Sequence, residues 1–130
     1  MLKSLLAVVV GYVLMAALVM ATVFGLYTLL GWQEGDVPST PALVGLAVAG
    51  GIYACIGGFV TALLAPRAPF VHALALGGVV LGLWFLDAGS SPLEVPTWFQ
   101  VTVLFTGVFG ALCGGALGSF RRTRRALASG

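Results

Sequence analysis

The chain has 130 residues, 60% of them hydrophobic and only 8% charged, with a net charge of +2 and a mean hydropathy of +1.11. So little polar surface cannot clothe a water-soluble globule of this size. Six basic residues in all are also too few for a nucleic-acid-binding face.

The expected solvent is therefore lipid, where backbone groups must be satisfied within the segment; without strand-like alternation, only helices remain. In chain order, Lys3 leads into an apolar run over 5–30, long enough for the ~20 helical residues that cross a bilayer. Val19-Met20-Ala21 resembles a signal cleavage site. The run continues well past Ala21 and is too long for a signal core, so an uncleaved first span is expected. Trp32 and the acids Glu34 and Asp36 follow it.

Thr40-Pro41 reads as a cap followed by proline at the first helical position of a second span over 42–64. The connection Ala65-Pro66-Arg67-Ala68-Pro69 is so short that spans two and three must be antiparallel neighbours. Span three covers 70–87, with His72 near its start and Trp84 and Asp87 near its end. Gly89-Ser90-Ser91-Pro92 is a helix stop, and Glu94 follows. Span four covers 98–120, and Thr97 and Gln100 before and within it have the spacing of a capping box. Residues 121–130 form a tail with Arg121, Arg122, Arg124 and Arg125.

Lys3, Arg67 and the four tail arginines fall at one set of span ends, and all four acids fall at the other. The positive-inside bias then predicts an all-α membrane four-helix bundle, one domain, with both termini in the cytoplasm. Trp32, Trp84 and Trp98 lie toward the outer ends, where an amphipathic ring suits the headgroup level.

Small residues recur every four positions. The rows are Ala17, Ala21 and Gly25 in span one; Gly50, Ala54, Gly58 and Ala62 in span two; and the pairs Ala73 with Gly77 and Gly78 with Gly82 in span three. Span four carries two rows, Gly107, Ala111, Gly115 and Ser119 beside Gly110, Gly114 and Gly118. In lipid such rows let backbones approach and make van der Waals contact. Four spans can satisfy only some of these rows internally, so one of span four's two rows is expected to face a partner; otherwise both pack within a tight bundle or reflect an Ala- and Gly-rich genome. Cys55 and Cys113 lie among these glycines and read as packing residues, since two thiols and one histidine make a poor ligand set. Ala54 to Gly58 resembles Leu112 to Gly115, which hints at a duplicated hairpin whose copies would run parallel, unlike the inverted repeat of many transporters.

No convergent titratable groups suggest catalysis. His72 is the one candidate cofactor ligand, for a pigment or haem, against a structural role; the sequence implies no cofactor and no metal site. Asp87 opposes the helix dipole in its last turn and would meet either a cation, a partner's arginine or headgroup water. Arg67, Arg121, Arg122, Arg124 and Arg125 are expected at anionic headgroups.

Size and span count resemble the small multidrug resistance exporters, but their carboxylate in the first helix has no counterpart here, and the in-membrane asparagine of fluoride channels is missing too. The segment from Gly57 to Leu74, with Pro96-Thr97-Trp98-Phe99 and the pair Gly114-Gly115, resembles a group of small four-helix bacterial membrane proteins that offers no activity to carry over. The resemblance implies a bacterial inner membrane and a hairpin that includes Arg67 and His72. The leading expectation is a non-enzymatic accessory subunit that packs against another membrane protein or a second copy of itself. The alternatives are an oligomeric transporter or channel subunit lined by Thr22, Thr61, Thr102 and Thr106, and pigment or haem binding at His72.

Overall fold

The structure, a computed structural model, describes residues 2–31, 36, 38–65, 68–87 and 95–128. Arg67, Trp32, Glu34 and Glu94 lie outside the described residues, as do the side chains of Leu2, Trp84, Asp87, Arg122, Arg125 and Ala126. Among the described residues the fold is four helices: α1 (Leu2–Leu30), α2 (Thr40–Leu64), α3 (Pro69–Asp87) and α4 (Thr97–Ala128). No strand occurs among the described residues.

Three segments, Lys3–Leu30, Thr40–Leu64 and Thr97–Arg121, are long and apolar enough to cross a membrane. The described apolar stretch of α3, Pro69–Leu83, is shorter. Large apolar side chains point outward along every helix, among them Phe24, Leu29, Ile52, Leu74, Phe109 and Leu117. The buried positions are mostly small, with Ala54, Ala62, Ala73 and Ala111 all at 0% exposure. Bulk outside and methyls inside is the arrangement expected where the surroundings are as apolar as leucine and backbone proximity drives association.

The helix ends have local causes, two of which differ from the sequence expectation. α1 stops at Gly31, whose φ of +66° is the left-handed conformation that closes many helices and that glycine adopts without steric cost. The N-cap of α2 is Ser39, not Thr40, so Pro41 falls in the first turn one position later than expected. Ser39 makes no side-chain cap bond; its carbonyl accepts the Leu43 amide at 3.0 Å. α2 ends at Ala65 in an extended conformation, the one a following proline enforces.

α4 starts at Thr97 itself, and the Phe99 and Gln100 amides donate to the Pro96 carbonyl at 2.9 and 3.3 Å. Gln100 Nε2 reaches back to the Val95 carbonyl at 3.4 Å, so the expected capping box is replaced by a longer-range side-chain contact. At its other end α4 runs through the arginines to Ala128, eight residues beyond the predicted span. Hydropathy stops at Phe120, but arginine, alanine and leucine are strong helix formers.

Residue pairings across the interfaces give the directions. Gly51 meets Thr106, Cys55 meets Gly114 and Ala62 meets Gly118, so α2 and α4 run parallel. Ala73 meets Gly115 and Gly77 meets Val108, so α3 is antiparallel to α4 and hence to α2. The short reversal into α3 places Ala68 at φ +46°, which costs a non-glycine residue about 1 kcal/mol.

α2 touches all three other helices, whereas α1 touches α2 and α3 but not α4. α1 is seated at Gly11. A methyl there would fall 2.7 Å from the Gly57 carbonyl oxygen, and one on Gly57 would fall 2.8 Å from the Gly11 oxygen. This reciprocal approach fits paired Cα–H···O contacts between the two backbones.

Thr61 Oγ1 also faces Gly11, fully buried and without a hydrogen-bond partner. An orphaned hydroxyl costs about 1–3 kcal/mol, and an isosteric methyl removes that cost. Thr61→Val is therefore expected to be neutral or to stabilise by about 1 kcal/mol in detergent unfolding. A clear loss would mean that the hydroxyl holds α1 through a bond of its own.

Candidate functional site

Both rows of α4 face neighbours within the chain. A methyl on Gly110 would fall 3.0 Å from Ala54 Cβ and 3.2 Å from the Cys55 nitrogen, and one on Gly118 would fall 2.7 Å from Ala62 Cβ. Gly114 lies directly on the Cys55 carbonyl, with the Phe59 nitrogen 2.8 Å from where its methyl would be. On the row that starts at Gly107, Gly107 meets Val80 at 3.5 Å, the buried Ala111 presses its carbonyl on Gly58, and Gly115 meets the Ala73 methyl. The apparent surplus thus closes two interfaces of the same chain, α4 with α2 and α4 with α3. Cys55 is half-buried and Cys113 exposed, both as free thiols.

Other glycines of the sequence rows have no neighbour. Nothing lies within 4 Å of a methyl built on Gly25, Gly50, Gly78 or Gly82. Ala17 and Ala21 are exposed on α1. Gly50 opens into a small cleft of about 130 Å³ between α1 and α4, floored by α2. In this cleft Tyr53 Oη and Thr22 Oγ1 share a 2.7 Å bond while Thr22 donates to the Leu18 carbonyl at 3.0 Å.

Gly78 borders a larger groove of about 570 Å³, bounded by Leu74, Gly77 and Leu81 on α3 and by Phe105, Val108 and Phe109 on α4. Phe105 and Phe109 stack along its wall, 6.4 Å between centroids. Every residue that lines it is apolar or glycine. Gly82 continues its row one turn further on α3. Compared with family models, curated proteins and solved structures, the chain matches none of them. The groove must therefore be read from its own chemistry. It can hold an apolar helix or chain and can orient nothing by hydrogen bonding.

The polar candidates are scattered. Thr61 is enclosed between α1 and α2, Thr22 lines the small cleft, and Thr102 and Thr106 donate to the Trp98 and Thr102 carbonyls of their own helix at 2.7 and 2.9 Å. Of the clefts described, only the small one is lined by any of them, through Thr22. His72 is half-buried, and its Nδ1–H donates to the Ala68 carbonyl at 3.0 Å, which fixes the ring against the start of its own helix. Among the described residues no three His, Cys, Asp or Glu converge. The Asp87 side chain lies outside the described residues.

Near the other end of α4, Leu117, Phe120, Arg121 and Arg124 line an open pocket of about 400 Å³. The Arg121 guanidinium carbon sits 6.0 Å from the centroid of the Phe59 ring on α2, the outer limit of a cation–π contact. Hydropathy alone finds the arginines but not this pairing, because Phe59 and Arg121 stand on different helices.

Proposed function

We propose that the protein is a non-enzymatic membrane subunit that docks a transmembrane helix, from another protein or from a second copy, in the groove between α3 and α4. The observation that carries this reading is the open space at Gly78, which lines an apolar groove of about 570 Å³, and at Gly82 one turn further on the same helix. Every other glycine pair of α3 and α4 at that spacing meets a neighbour within the chain, and small residues with open space invite a helix backbone. At 19 residues, α3 is about 29 Å long, at the short end of the range for a span. Companionship from a partner helix would offset the mismatch. A bacterial inner membrane with both termini in the cytoplasm belongs to the same reading, on the strength of the charge distribution.

A transport or channel subunit would need its polar groups on one path; Thr22 and Thr61 stand at the contact of α1 with α2, Thr61 fully buried, while the Thr102 and Thr106 hydroxyls are bonded to carbonyls of their own helix. A pigment or haem at His72 would have to use Nε2, since Nδ1 is engaged; an absorption spectrum of the purified protein tests that.

The docking reading is tested by Gly78→Leu with Gly82→Leu, followed by native mass spectrometry after mild extraction. The expected result is loss of the heteromeric or homomeric complex, with a detergent unfolding free energy within about 0.5 kcal/mol of the parent. A complex that survives both leucines, or a parent that runs only as a monomer, would sink the reading.

A further inference from the structure

The arginine end of α4 combines charge, apolar surface and depth in the bilayer in a way that selects one class of ligand. Trp98 and Arg121 stand 23 positions apart on a single unbroken helix, so about 35 Å separates them along the axis. The hydrocarbon core is about 30 Å thick. With Trp98 in one interface, Arg121 and Arg124 therefore fall at the phosphate level of the other, while Leu117 remains level with the acyl chains and Phe120 stands at the boundary between them. All four line the same open pocket. The order along its wall is apolar, then cationic, which is the order of a phospholipid from chain to headgroup.

The pocket is more than a run of positive charge. Phe59 on α2 stands under the Arg121 guanidinium, and Phe59 is itself fixed by its backbone against Gly114 and Gly118. One arginine thereby has an aromatic face of a neighbouring helix beside it, and guanidinium groups bind phosphate oxygens in a planar fork. Arg124, exposed on the next turn, supplies the second cation.

We propose that this pocket is a binding site for an anionic phospholipid, whose phosphate lies between Arg121 and Arg124 and whose acyl chain lies along Leu117 and Phe120. The site is independent of the groove between α3 and α4, and neither reading requires the other.

The test is native mass spectrometry of the full chain equilibrated in mixed micelles with equal phosphatidylglycerol and phosphatidylcholine. The parent is expected to retain phosphatidylglycerol preferentially. Arg124→Gln alone, at an exposed side chain that carries no packing, should cut the preference about fivefold, and Arg121→Gln with Arg124→Gln should cut it about 25-fold. The matched control is Arg122→Gln with Arg125→Gln, which removes the same charge from register positions about 100° round the helix; its loss should be the smaller. Phe59→Leu keeps every charge and should weaken the preference through Arg121 alone. Inorganic phosphate at millimolar concentration should not displace the lipid, because it has no chain to lie along Leu117 and Phe120. Equal retention of the two lipids by the parent would overturn the proposal. So would equal losses from the two arginine pairs, which mean diffuse attraction, or displacement by free phosphate, which means a simple anion site.

Discussion

Gly114→Leu is expected to unfold the bundle, with at least about 3 kcal/mol lost in detergent unfolding followed by circular dichroism. Even the first carbon of the new side chain would land on the Cys55 carbonyl, and the Phe59 nitrogen lies 2.8 Å from the same point. Both obstacles are backbone of α2, so no rotamer change relieves the clash. The two helices would have to separate along the whole interface, where Gly110 and Gly118 make similar approaches. The paired substitution Gly78→Leu with Gly82→Leu adds twice as much bulk, but its first side-chain carbons meet nothing within 4 Å, so it serves as the built-in control. If Gly114→Leu unfolds at the parent's midpoint, α2 and α4 do not meet as closely as the structure places them.

Gly11→Leu should produce a different failure. α1 meets only α2 and α3, and its approach to α2 depends on the mutual fit of Gly11, Gly57 and Thr61. A leucine there should lift α1 away while α2, α3 and α4 keep their contacts with one another. Hydrogen exchange by mass spectrometry is expected to show amides of α1 exchanging on the order of 100-fold faster, with α2 and α4 unchanged, as for a locally opening unit. Uniform acceleration across all four helices would instead make the bundle a single cooperative whole.

Much of the fold was legible because hydrophobic length and proline placement are strong local signals. The run over 42–64 and the stop before Pro66 become α2 with its ends displaced by no more than two residues. The misplaced features were those decided by a few hydrogen bonds. Ser39 and Thr40 are both good caps, and no pattern in the sequence chooses between them. The extension of α4 to Ala128 was hidden by reading arginine as a topological marker alone when it is also a helix former.

The site was harder to read. Spacing identifies Gly78, Gly82, Gly110 and Gly114 equally as small residues in rows, but which rows are occupied depends on how the helices rotate against one another. The two rows of α4 are filled from within because α2 and α3 approach it from two sides. The open pair on α3 becomes visible only after that subtraction. The seat at Gly11 was missed for a related reason: Ala7 and Gly11 make only a short four-residue pair beside the longer row of Ala17, Ala21 and Gly25, and the partner Thr61 looks like an ordinary polar interruption until the hydroxyl is found facing Gly11.

The attachment of α1 on one flank also sets a timetable for biosynthesis. Thr61 follows Gly11 by 50 residues in the chain, which ribosomes take roughly 3 to 10 s to add at 5–20 residues per second. Through that interval α1, the earliest made of these four helices, stands without its dock. The later helices can settle against one another without it, since the interfaces of α4 involve only α2 and α3. Assembly of these four helices is then the closure of a three-helix nucleus onto a tethered latecomer that was, in order of synthesis, the earliest of the four.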